Sequence, residues 1–429
     1  MVFVVFVSLS LMLLYFGFRK SGTLVNPLSV FSGVWLLIVL LYQLRLSGLQ
    51  TVLNQELYLA LTIVLLAFGF FYFLALSAQT GIFGYMKRNE LVGEVKADSE
   101  NLRSMAWICF ALFCVWFVVS LIEICMSGGV PAFWLFTDSG KTYFDFGIPS
   151  VHGLMNALGV LLATVASYLL FKDAPHKRQL LLVLIIETIF YLLIISRQVI
   201  MSAAVQILVV YLLVDRKPIP VMRLCLIGLF GIVAFGVIGN IRTGYQNFME
   251  VAELSQNMPS AGAGFYWVYM YLTMTLANLN NLVIQTFEPL GVGYLLQDFV
   301  PSVVSDMFDF SQAEGVHYLA SIQFNVSGFF AHYFEAFGWS GLIVAGGAFG
   351  ALSGLATSWY EWRPSAISLF FLAVTMQIVA LSFFTDLLLY LPVSFQLVLL
   401  CLFGGTACST VETLYEKWRG HRKGMADAN

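Results

Sequence analysis

Apolar runs of about 20 residues, long enough as helices to cross a hydrocarbon core of roughly 30 Å, recur along this chain and leave little of it for anything else. They fall at residues 1–18, 27–43, 56–77, 104–126, 150–171, 179–195, 198–214, 224–239, 336–357, 365–385 and 387–409. Strands that cross membranes instead alternate polarity over about ten residues, and no such alternation occurs. The chain is 60% hydrophobic and 10% charged, where soluble domains carry about a quarter charged residues. The expected fold class is an all-α polytopic membrane protein of about 11 transmembrane helices. Residues 1–429 form one transmembrane domain, with a large extracytoplasmic loop at 240–335 and a tail at 410–429. A net charge of −3 supplies no electrostatic reason for a nucleic-acid partner.

Basic residues set the expected orientation. With the amino terminus outside, seventeen of the 21 Lys and Arg residues fall on inner segments, leaving Arg45, Lys141, Arg197 and Arg242 outside. That asymmetry is the positive-inside pattern, and it places the carboxyl terminus in the cytoplasm. Met1 to Phe18 lacks a basic leader and runs into Arg19-Lys20, unlike a cleavable signal. Phe265 to Phe287 is apolar enough to span but carries Asn278, Asn280 and Asn281 in one turn. A crossing there would also move Arg363 and the basic tail outside, so it reads as an interfacial or re-entrant helix. The six cysteines fall in or at apolar runs with no paired spacing in a wet loop, and read as small buried hydrophobes.

No stretch of these residues reads as a soluble catalytic domain, so chemistry is expected from helix ends and outer loops. Arg197, in Ile195-Ser196-Arg197-Gln198, sits at a tight hairpin; it can grip phosphate in a bidentate way or simply snorkel to headgroups. Arg242 is the one cation between Asn240 and Glu335, against eight acids, so it serves either a structural ion pair or a ligand. Lys141 lies in Thr137-Asp138-Ser139-Gly140-Lys141-Thr142, which lacks the glycine spacing of a phosphate loop and also reads as a solvated lysine. His332 and Glu335 share a helix face if the helix already begins at His332, and either could act as a general base. Two acids, Glu123 and Glu187, lie inside spans, where an ionisable group is a functional hypothesis by default. Asp306, Asp309 and His317 lack the spacing of a metal site. The small residues of Gly341 to Gly354 permit close helix approach.

Several stretches together resemble the bacterial O-antigen polymerases, or oligosaccharide repeat unit polymerases, and more distantly the O-antigen ligases. They are Gly129-Val130-Pro131 leading to Phe146-Gly147-Ile148-Pro149, Ser196-Arg197-Gln198 at an outer hairpin, Gly239-Asn240-Ile241-Arg242-Thr243-Gly244 opening the large loop, and Glu335-Ala336-Phe337-Gly338-Trp339-Ser340-Gly341-Leu342 closing it. The resemblance implies a GT-C-like membrane glycosyltransferase at the outer face of the bacterial plasma membrane. It would join oligosaccharide units carried on polyprenyl (undecaprenyl) diphosphate into lipopolysaccharide O-antigen or another surface polysaccharide. Arg197, Arg242 and Lys141 would bind the diphosphate, Glu335 or His332 would take the acceptor proton, and no metal or other cofactor would be needed. Expected partners are the donor and acceptor lipid-linked glycans, membrane lipids, a chain-length regulator and a flippase. The other readings are a ligase, or a flippase or secondary transporter using Glu187 and Glu123 as a proton relay.

Overall fold

The computed structural model describes residues 1–83, 99–134, 137, 140–141, 145–214, 222, 226, 228–229, 231–233, 236–237, 239–240, 244–255, 259, 262–297, 299–300, 315–362 and 364–401. These residues form helices α1 Val2–Ser21, α2 Pro27–Tyr42, α3 Gln55–Phe83, α4 Ser99–Ser127, α5 Pro131–Trp134, α6 Val151–Phe171, α7 Lys177–Leu193, α8 Arg197–Val214, α9 Tyr245–Val251, α10 Ala263–Val283, α11 Gly291–Leu296, α12 Ala331–Phe337, α13 Trp339–Trp362, α14 Ala366–Ala380 and α15 Leu391–Cys401. No strand occurs among them; one isolated antiparallel bridge joins Ser47 to Leu254.

Among the described residues, six helices, α1, α3, α4, α6, α8 and α13, are long and apolar enough to cross a membrane. Their outward faces carry exposed Leu66, Phe70, Val118 and Ile343, surfaces too apolar and extensive for water. This is the character of a multi-pass membrane protein. Helix α2, with 16 residues, matches its apolar run, whereas two later segments are shorter than the sequence pattern suggests: α14 with 15 residues, and α15, which starts only at Leu391. Asn26 sets the start of α2, its side chain accepting from the Ser29 amide at 2.8 Å ahead of Pro27. Ser365 and Ser368 form a reciprocal cap that starts α14. Cys109 is buried, whereas Cys114, Cys125 and Cys401 face outward from the bundle, so three cysteines read as buried line its surface instead.

The ends of the helices sort by charge. Lys20 pairs with Glu361 at 3.7 Å, Tyr360 reaches the Leu213 carbonyl, and Lys172 reaches that of Val214. The last turns of α1, α13, α8 and α6 therefore meet at one end, here the basic end. The starts of α3, α6, α8 and α13 lie at the opposite, far end, in keeping with the expected charge asymmetry. Helix α10 is fastened along the far-end connection between α2 and α3. Tyr269 bonds Gln50 and the Leu46 amide, Thr273 bonds Gln50, and Asn280 accepts from the Asn54 amide.

Two devices hold the bundle. Along α13, Gly346, Gly350 and Gly354 lie against the Val64, Phe68 and Tyr72 carbonyl groups of α3, so the two backbones are in contact, as small residues at four-residue spacing allow. Between α6, α8, α14 and α15 runs a buried amide network. Thr164 donates to Gln206 at 2.7 Å, Gln206 donates to Gln377 and Gln396, and Gln377 donates to Ser202 at 2.8 Å. Gln206 touches three partners, and Gln206→Leu strands the Gln377 and Gln396 oxygens, while the Thr164 hydroxyl keeps its bond to the Val160 carbonyl. At about 1–3 kcal/mol for each stranded buried group, the variant should unfold at clearly lower temperature in detergent. An unchanged unfolding midpoint would show that the network contributes nothing.

Candidate functional site

Helix α12 begins at Ala331, which puts His332 and Glu335 on one face as their spacing requires. Tyr294 of α11 meets both: its hydroxyl donates to Glu335 Oε2 at 2.8 Å, and its ring lies edge-on to His332 at 5.8 Å. The Val316 amide donates to Glu335 Oε1 at 2.9 Å, and the Glu335 carbonyl accepts from the Leu290 amide. Burial pushes the Glu335 carboxyl up from its ordinary value, while the Tyr294 hydroxyl, the Val316 amide and nearby His332 pull it down. The side chain is 1% exposed. With both oxygens held by donors, Glu335 fastens three segments together, and half-buried His332 is the more accessible of the pair.

Beneath α12 an irregular stretch runs deep into the bundle. Phe329 packs on Phe349, ten residues into α13, and on Phe31 of α2. That depth is about 15 Å from the start of α13 at 1.5 Å per residue. Non-helical backbone is tolerated at such depth only when protein groups satisfy it, and here they do. Asn278 donates to the Phe324 and Val326 carbonyls and accepts from the Ala320 amide. The Phe329 amide donates to the Ser382 carbonyl, Thr275 donates to that of Phe383, and Trp35 donates to the Ser382 hydroxyl. The three asparagines close together in sequence thus have separate tasks: Asn278 holds 320–326, Asn280 holds Asn54, and Asn281 holds the Tyr318 carbonyl at 3.1 Å. Asp386, 5% exposed, accepts from the Leu388 and Leu389 amides and lies beside Tyr333.

A second cluster occupies the far ends of α4 and α6. Glu123 is fully buried and accepts from the Ile148 amide at 3.2 Å; its other oxygen pairs with His152 Nδ1 at 3.1 Å. The backbone leading to His152 is unusual, with Gly147 at φ 96° and Ser150 at φ 63°. A side chain at Gly147 would collide with the imidazole. Lys141 donates to the Ser127 carbonyl at 2.6 Å and lies 5.3 Å over the Trp134 ring. It caps the negative end of α4 and makes a cation–π contact, a structural occupation.

Arg197 is the first residue of α8, partly buried, in a hairpin where Ile195 has φ 58° and the Ser196 amide donates to the Tyr191 carbonyl. A β-branched residue at positive φ is a true outlier, so the turn presenting Arg197 is fixed by its surroundings. Arg242 lies outside the described residues, as do Asp306 and Asp309. Among the described residues, no group of three His, Cys, Asp or Glu side chains could hold a metal ion. Of the residues picked from sequence, His332 and Glu335 come together. Glu335 bonds to neither Arg197 nor Lys141. Sequence reading missed Tyr294, Tyr333, Asp386 and His152. For His152 there was a signal: a buried acid at Glu123 requires a partner, and a histidine at the start of the next span was available.

Compared with known proteins, the chain matches no family model, no curated protein and no solved structure, and its function is argued from the side chains themselves.

Proposed function

We propose that the chain is a membrane glycosyltransferase that joins lipid-diphosphate-linked oligosaccharide units at the outer face of the bacterial plasma membrane, the oligosaccharide repeat unit polymerase reading. One observation carries it: a polar, hydrogen-bonded scaffold of α10, α11, α12 and the irregular segments 315–330 and 381–390 is set into the far end of a bundle whose outward faces are apolar. A glycan on a polyprenyl carrier needs such a setting, polar for the sugars and flanked by lipid for the tail. The sequence likeness to O-antigen polymerases supports the same assignment, and the positive-inside pattern supports an outward-facing far end.

In this reading Arg197 and Arg242 neutralise the leaving diphosphate, with Lys141 committed to its cap. His332 is the base that takes the proton of the attacking sugar hydroxyl. Glu335 positions it through the shared Tyr294 contact. No step calls for a metal. A second reading, proton-driven transport or flipping of the lipid-linked glycan, is favoured by Glu187, a carboxyl 2% exposed near the middle of α7.

The test is the pattern of lipid-linked glycans in cells lacking the gene. Single repeat units accumulating on the carrier at the outer face are the expected result. Full-length chains left on the carrier would make the protein a ligase, and units trapped on the inner face a flippase.

A further inference from the structure

Independently of the transfer reading, three helices turn polar atoms toward one another inside the bundle. On α4, Trp116, Ser120 and Glu123 recur at four- and three-residue spacing, which puts them on one face. On α6, His152, Asn156 and Gly159 do the same, and on α7 Glu187 and Tyr191 are one turn apart. The faces meet. Trp116 packs edge-on to Phe190 at 5.1 Å and lies 6.0 Å from Tyr191. A Cβ built at Gly159 would overlap the Tyr191 hydroxyl and stand 2.9 Å from Trp116 Nε1. The missing side chain at Gly159 therefore lets the Tyr191 hydroxyl and the Trp116 ring nitrogen pack against the α6 backbone, which brings the polar faces of the three helices together.

Four atoms in this seam have no hydrogen-bond partner among the described residues: both Glu187 carboxyl oxygens, Ser120 Oγ and Trp116 Nε1. Their side chains belong to residues 1–2% exposed. Buried polar atoms are paired almost without exception, and an unpaired carboxyl inside a membrane carries a large penalty. Bound water serves buried polar atoms that lack protein partners, and these lie in sequence along the seam: Glu187, then Trp116 level with Tyr191 one turn nearer the far end, then Ser120 a turn beyond. Toward the far end the seam continues from Ser120 to Glu123, one turn on, and through the 3.1 Å pair to partly exposed His152.

We propose that Glu187 is a membrane-embedded proton-binding site, hydrated through Trp116 and Ser120 and connected to the far face by Glu123 and His152. A proton passes from bulk hydronium to the Glu187 carboxylate, leaving a neutral carboxyl and water. Cys109 on α4 lies near it; the other titratable groups on the surrounding helices are Glu123 on α4, His152 on α6, Tyr191 on α7 and Arg197 at the start of α8 toward the far end, with Arg103 and Lys177 at the basic end.

The test is infrared spectroscopy of the full-length protein in lipid nanodiscs. A protonated-carboxyl band should be present, absent in Glu187→Gln, and shifted within the mixing time on transfer to D2O. Glu187→Asp, which displaces the band without removing it, assigns it if the glutamine variant does not accumulate. Ser120→Leu, which fills the seam above Glu187, should slow the shift by about tenfold or more, the scale of losing one polar contact to a charged group. A Glu187 band that stays unshifted for hours overturns the proposal, because the site is then dry. A Glu187 that shows no protonated band at any pH overturns it as well, and equal exchange in Ser120→Leu and His152→Phe overturns the route.

Discussion

Cells producing Gly350→Leu should contain almost none of the folded protein. Gly346, Gly350 and Gly354 repeat at four-residue spacing along α13, and a Cβ at Gly350 would overlap the Phe68 carbonyl oxygen of α3. At Gly346 the corresponding atom would stand 2.5 Å from the Val64 oxygen. The obstacle is backbone, with no flexible side chain to swing aside, so the helices themselves must separate. Overpacking a core with movable side chains costs about 1–3 kcal/mol; separating two backbones costs more. It also opens the stack of Phe68 on Phe31 at 4.0 Å and the seat of Phe329 against Phe349, which carries the buried irregular segment. Gly228 is the control, a helical glycine with nothing within 4 Å of a built Cβ. Gly228→Leu should accumulate normally, since it replaces a poor helix former with a good one. Size-exclusion chromatography of fluorescent fusions reads both. A wild-type peak from Gly350→Leu would mean that α3 and α13 do not need their close contact.

What could be read from the chain alone follows a physical division. Composition and run length report the solvent around a helix, so the membrane class and the close-packing glycines of α13 were legible. The His332–Glu335 face was legible too, because a spacing of three along one helix decides it. Pairings between helices were not. Glu123 meets His152 only because α4 and α6 adopt one register, and Gln206 gathers Gln377 and Gln396 from about 170 and 190 residues away. No local pattern encodes such a meeting. The break at 381–390 was illegible for a related reason: the apolar run continues there, yet the chain leaves the helix at Leu381 because the Ser382 and Phe383 carbonyls serve the Phe329 amide and Thr275. Tertiary hydrogen bonds there override local propensity.

Arg197→Ala should stop growth of the lipid-linked glycan while leaving the protein in the membrane at its normal level. The expectation rests on the transfer reading, in which negative charge builds on a departing diphosphate. Removing one fixed donor from such a site costs about 10²–10³ in rate. Arg197 meets the requirement of fixity, because Ile195 at φ 58° and the Ser196–Tyr191 bond hold its turn. It also opens α8, whose first amides add partial positive charge in the same direction. Arg197→Lys separates two kinds of contact. A headgroup-snorkelling residue tolerates lysine, since both side chains carry one charge on a long apolar stem. A bidentate diphosphate clamp does not, since an ammonium cannot reproduce two parallel N–H bonds. The transfer reading therefore expects Arg197→Lys to resemble Arg197→Ala, with single repeat units accumulating on the carrier in both. Wild-type chain length in the lysine variant alone would reduce Arg197 to an anchor. Wild-type length in both would remove it from the reaction and leave Arg242 as the cation to test next.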